Sequence, residues 1–175
     1  KLWCTRALTV SLISAIFAVF LINYLEKIGG KTGKVLGFAY ALGSMVYCYS
    51  TVFYAHQLVA VMLFMAFFLA REKKDSGLFI SDFLPGFLIG LSFFFELPSL
   101  LIGVIIGCYY LFRVFLEPPG NKSDVLRKNF HRFLLFAFAS FIPVMFLAAY
   151  NNACFGGPLK SGYSFLIEGS KFREE

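Results

Sequence analysis

The side chains in this chain that could do chemistry are few and fall in three short stretches. The first, residues 49–57, reads YSTVFYAHQ and holds Tyr49, His56 and Gln57. An imidazole at such a place could contact a ligand or shuttle a proton near neutral pH, or simply hydrogen-bond between helices. The second, residues 93–99, reads FFFELPS and centres on Glu96. A carboxylate beside strongly apolar segments is a functional candidate by default, because burying it is costly. The competing reading leaves it at water level, or paired with Lys1 or Arg6. The third, residues 150–165, reads YNNACFGGPLKSGYSF and offers Asn151, Asn152, Lys160 and Tyr163, which could bind a phosphate or a sugar. Its glycines, proline and asparagines are turn formers, so it reads as an ordered loop.

Other chemistries find no support. No nucleophile triad and no metal-ligand set can be assembled, which leaves any need for a divalent metal open. Cys4, Cys48, Cys108 and Cys154 share no CxxC spacing and read as small apolar residues, with a Cys48–Cys154 disulfide as an alternative. The text GGKT at residues 29–32 resembles the end of a phosphate-binding loop, but the glycine required five positions before Gly30 is Leu25.

The elements that must position these residues follow from composition. Of 175 residues, 59% are hydrophobic and only 15% charged. A soluble domain is typically about 25% charged, so this chain could not clothe itself for water. Its apolar runs are continuous, which favours membrane helices over the alternating strands of a barrel. The expected fold is an all-α, polytopic transmembrane bundle with about six spans, near 7–25, 35–49, 53–70, 78–95, 98–116 and 133–149. Residues 150–175 would begin an extracytoplasmic loop.

The net charge of +6 is gathered between the apolar runs and does not point to nucleic acid. Lys27, Lys31 and Lys34 form one cluster, Arg71, Lys73 and Lys74 a second, and Arg113, Lys122, Arg127, Lys128 and Arg132 a third. These occupy alternate connections, so one topology places all three on the cytoplasmic side. The tight turns at 49–56 and 96–98, and the segment after Tyr150, then face outward together. Small residues at Gly37, Ala41 and Ser44, and the pairs Gly86/Gly90 and Gly103/Gly107, would let neighbouring helices approach closely.

The order of YSTVFYAH, FFFELPSLL and YNNACFGGPLKSGY resembles the central part of bacterial GT-C-type integral membrane glycosyltransferases. The nearest group is the one related to protein O-mannosyltransferases and to aminoarabinose or Rgt-type sugar transferases. The resemblance implies transfer of a sugar from a polyprenyl-phosphate donor to a lipid, glycan or protein acceptor. The reaction would occur on the outer face of a bacterial cytoplasmic membrane. It also implies a catalytic acid in an external loop upstream of Lys1, so that the chain is an internal fragment. Glu96 and His56 would line the site. The alternatives are a multi-span transporter and a non-catalytic membrane subunit.

Overall fold

The computed structural model describes residues 4–5, 7–52, 54–71, 79–116 and 122–160. The fold is all-α, with no strand among the described residues. A π-helical turn, Ala7–Ser11, leads into α1 (Leu12–Gly43), followed by α2 (Met45–Thr51) and α3 (His56–Arg71). A second π-helical turn, Phe79–Phe83, opens α4 (Leu84–Phe95), and α5 (Ser99–Leu116) and α6 (Lys122–Phe155) are the remaining described helices. The chain divides into two compact units, residues 1–65 and 66–175.

In the first unit, α1 is a hairpin rather than a rod. Its helical dihedrals are interrupted at Gly30, where φ is 58° and ψ is −137°. That conformation is strained for any residue with a Cβ and open to glycine. The chain then doubles back on itself. Lys34 Nζ lies 3.0 Å from Glu26 Oε1, Gly37 abuts Ile22, and the Phe17 and Tyr40 rings meet edge to face at 6.1 Å. Farther along, Ser11 Oγ donates to the Ser50 carbonyl at 2.7 Å. Partners converge on Gly30 from both sides, as only two antiparallel arms allow. A Cβ on Gly33 or Gly37 would collide with the backbone of the facing arm, so these glycines set the close approach. Phe17, Leu21 and Val61 form the buried core of this unit, with Phe64 of α3 against Phe17.

The second unit is a three-helix bundle. Asp82 pairs with Arg132, Gly86 abuts Phe136, and Gly90 abuts Ser140. The offset is constant, so α4 and α6 run parallel. Between Gly103 and Ile89, and between Tyr110 and Asp82, the numbering runs in opposite senses, so α5 is antiparallel to both. Added Cβ atoms at Gly86 and Gly90 would strike the carbonyls of Phe136 and Ser140, which makes these two glycines the closest approach in the bundle. Gly103 faces the Ile89 side chain, and Gly107 makes only ordinary contact. Ala70, Tyr110, Val114 and Phe136 form the buried core.

By length and composition, two helical stretches could cross a membrane, Ala7–Gly43, which the reversal at Gly30 divides into two arms, and Asn129–Phe155. The bent pair Met45–Thr51 and His56–Arg71 could supply a third. Ile80–Phe95 and Ser99–Val114 are shorter apolar helices. Six separate spans are therefore met only in part. Several boundaries also move. The third helix begins at His56 rather than 53, so His56 is its first residue and not one turn inside it. The Ser50 and Thr51 hydroxyls donate back to the carbonyls of Tyr47 and Cys48. The last helix starts at Lys122 and runs to Phe155, so the loop expected from residue 150 starts later. The four cysteines are free and exposed. Much of the large apolar surface is uncovered, including Leu101, Val104 and Ile105 of α5 and Phe138, Phe141 and Phe146 of α6. Exposure on this scale suits lipid rather than water.

Candidate functional site

The first stretch folds into an aromatic group at one end of the first unit. Tyr49 lies in the last turn of α2, and His56 opens α3. The His56 ring meets Tyr49 edge to face at 5.5 Å and lies parallel to Tyr54 at 5.9 Å. His56 and Tyr54 are exposed, so the imidazole is presented between two phenol rings at the surface. Gln57, one residue on, points the other way. It is 4% exposed, and its Nε2 donates to the Tyr40 hydroxyl at 3.4 Å. That contact packs the amide against the second arm of the hairpin.

The remaining candidates lie on the second unit. Glu96 follows the last residue of α4, and its backbone N–H donates to the Ser92 carbonyl at 3.0 Å. Its own carbonyl accepts from the Ser99 backbone at 3.2 Å and the Ser99 hydroxyl at 2.7 Å. Pro98 lies just before α5, inside this turn. Because α4 and α6 are parallel, the end of α4 at Glu96 and the end of α6 at Asn151 and Asn152 mark the same end of the bundle. Asn151 is buried, and its amide donates to the Pro158 carbonyl at 3.4 Å. This bond folds the turn at 156–159 back on the helix. Gly156 enters it with a φ of 70°, and the Lys160 backbone N–H closes it on Gly157. Asn152 and Lys160 are exposed. Tyr163, Lys1 and Arg6 lie outside the described residues.

The most tightly bound polar group stands at the opposite end of this bundle. Asp82, in the π-helical turn, is 0% exposed. Its carboxylate accepts from Tyr110 Oη at 2.6 Å, from Arg132 Nη2 at 3.0 Å and Nε at 3.1 Å, and from Ser81 Oγ at 3.0 Å. Tyr110 stacks on Phe136 with ring centroids 4.3 Å apart. Nearby, Asn129 donates to the Val114 carbonyl at 2.8 Å, and Arg113 reaches the Ala70 carbonyl. Charge-assisted bonds of this kind compensate for removing a carboxylate from water.

Arg132 is expected from the sequence only as a member of a basic cluster, and Asp82 is not among the sequence candidates. The available signal was an acid inside an apolar run and a cation at the head of another, but only the packing joins them. Among the described residues, no three histidine, cysteine or acidic side chains come together as a metal site.

These features define a class: an all-helical protein whose long apolar helices are compatible with a membrane, with polar groups at the bundle ends. No protein-family profile, curated protein or solved structure matches the chain.

Proposed function

We propose that this chain is part of a polytopic membrane glycosyltransferase. It would move a sugar from a polyprenyl-phosphate donor to a lipid, glycan or protein acceptor on the extracytoplasmic face. In this reading the chain crosses the bilayer six times. The two arms of α1 count as separate spans, and the basic clusters are cytoplasmic. The observation that carries the reading is the shared end of Glu96 and the Asn151–Lys160 turn on the second unit, in the order of motifs that resembles this enzyme class.

The chemistry asked of the site is a base for the acceptor hydroxyl and a cation for the departing phosphate. On the second unit, Glu96 would serve the first need and Lys160 the second, while the resemblance offers His56 as an alternative base. The exposed ring of Tyr54 and the half-buried ring of Tyr49 beside His56 are the kind of surface on which a sugar face rests. An acidic residue in an upstream external loop would complete the set.

The test uses membranes carrying the intact protein and radiolabelled polyprenyl-phosphate sugars. Transfer to an endogenous acceptor, lost in the His56→Ala and Glu96→Ala variants that still accumulate, is the expected result. Normal turnover in both variants would remove these residues from the site, and no transfer with any lipid-linked sugar would remove the function.

One observation favours a transporter instead. Within the second unit the buried Asp82 pairs with the half-buried Arg132, and buried charges in membrane bundles often mark solute or proton paths. Solute flux into proteoliposomes that disappears in Asp82→Asn, without sugar transfer, would select that reading.

A further inference from the structure

The GGKT stretch takes no part in the proposed sugar transfer, yet it forms the crown of the α1 hairpin. We propose that this crown is a docking surface for anionic phospholipid headgroups. Lys27, Ile28, Gly29, Gly30, Lys31 and Thr32 are all exposed, and nothing stands within 4 Å of where a side chain would grow at Gly29 or Gly30.

The charge at the crown is not evenly available. Lys34 is tied to Glu26 at 3.0 Å, one turn back along the arms, so these two cancel. Lys27 and Lys31 remain as the two cations on either side of the turn. Between them Ile28 is 65% exposed, an apolar side chain at the tip of a charged loop. Two cations flanking an exposed apolar residue complement the layer where lipid phosphates meet acyl chains.

Length places the crown at that layer. The first arm, with its leading π-helical turn, covers residues 7–29. As a helix this stretch rises roughly 30–35 Å, close to the thickness of a hydrocarbon core of about 30 Å. An arm that spans the core therefore delivers Lys27 and Lys31 to headgroup depth. The surface rests on the membrane placement of α1 and is independent of sugar transfer.

The experiment reconstitutes the chain in bilayers containing phosphatidylglycerol or phosphatidylcholine with a photocrosslinker beside the headgroup. Crosslinks are mapped by mass spectrometry. At low ionic strength, phosphatidylglycerol crosslinks to residues 26–34 are expected to exceed phosphatidylcholine crosslinks about fivefold per lysine, and to fall as salt rises. Lys27→Gln with Lys31→Gln should abolish the preference, and Lys27→Arg with Lys31→Arg should keep it. A preference that survives the Gln pair, or is lost equally in the Arg pair, overturns the proposal. So does its removal by inorganic phosphate at constant ionic strength, which would mark a site for soluble anions. A chain that alkaline carbonate strips from the bilayer overturns the membrane placement and this surface together. A chain that stays embedded but shows no lipid preference overturns this surface alone.

Discussion

Asp82 and Arg132 face each other across two parallel helices, with the guanidinium bracketing the carboxylate through Nη2 at 3.0 Å and Nε at 3.1 and 3.2 Å. The acid is sealed from solvent, while the Arg132 side chain keeps 22% of its surface. Such a pair adds little net stability relative to an apolar core, but breaking it leaves a stranded charge. Arg132→Met is therefore expected to lower the stability of the chain in detergent by about 3 kcal/mol. The double change Arg132→Met with Asp82→Leu should recover much of that loss. Thermal unfolding of the two variants checks this, and equal destabilisation in both would contradict it.

The same parallel contact depends on two glycines. A methyl at Gly86 or Gly90 meets a backbone carbonyl of α6, which cannot swing aside as a side chain can. Gly90→Val should cost about 1–3 kcal/mol, the usual range for overpacking. Gly107→Ala, whose Cβ has ordinary room, should cost far less. The comparison reads packing directly because both residues sit in the same bundle.

Gly30 carries the reversal of α1 at a φ of 58°. Replacing it with Val puts a β-branched residue where L residues rarely go, at a cost of order 1–3 kcal/mol. The expected readout is greater protease sensitivity near the crown. Gly29, at a helical position with open surroundings, should tolerate Ala.

Gln57 and His56 are neighbours with opposite expected phenotypes. Gln57→Leu breaks the bond to Tyr40 inside the first unit and should cost stability by about 1 kcal/mol, with little change in the rate of any transfer reaction. His56→Ala removes an exposed ring from between Tyr49 and Tyr54 and should lower transfer at least tenfold, with stability unchanged. Measuring melting temperature and turnover on both variants separates a packing residue from a site residue.

The six-span topology can be tested with the native thiols, since all four are exposed. In sealed cells a charged maleimide should label Cys48 and Cys154 from outside. Cys108, in the middle of α5, should react only with a lipid-soluble reagent. Labelling of Cys48 and Cys154 from opposite sides would break the proposed orientation.

By itself the sequence narrowed the architecture to helices or a closed barrel, because a chain with 59% hydrophobic residues and few charges suits an apolar surrounding, where the backbone must satisfy itself. Its continuous apolar runs then select helices. It also showed where helices could come close, since Gly37, Gly86 and Gly90 announce themselves by lacking a side chain. Other features were beyond it. A reversal between the first two expected spans was legible, but that helix continues up to Gly30 and turns there in one tight step depends on contacts between the arms that a local pattern does not contain. The direction of Gln57 was equally hidden, since one residue's shift around a helix turns a side chain from surface to core. Above all, Asp82 and Arg132 are fifty positions apart and belong to different apolar runs. Only the tertiary structure decided that they meet, because the glycine-lined contact between α4 and α6 sets the register that brings acid and cation face to face.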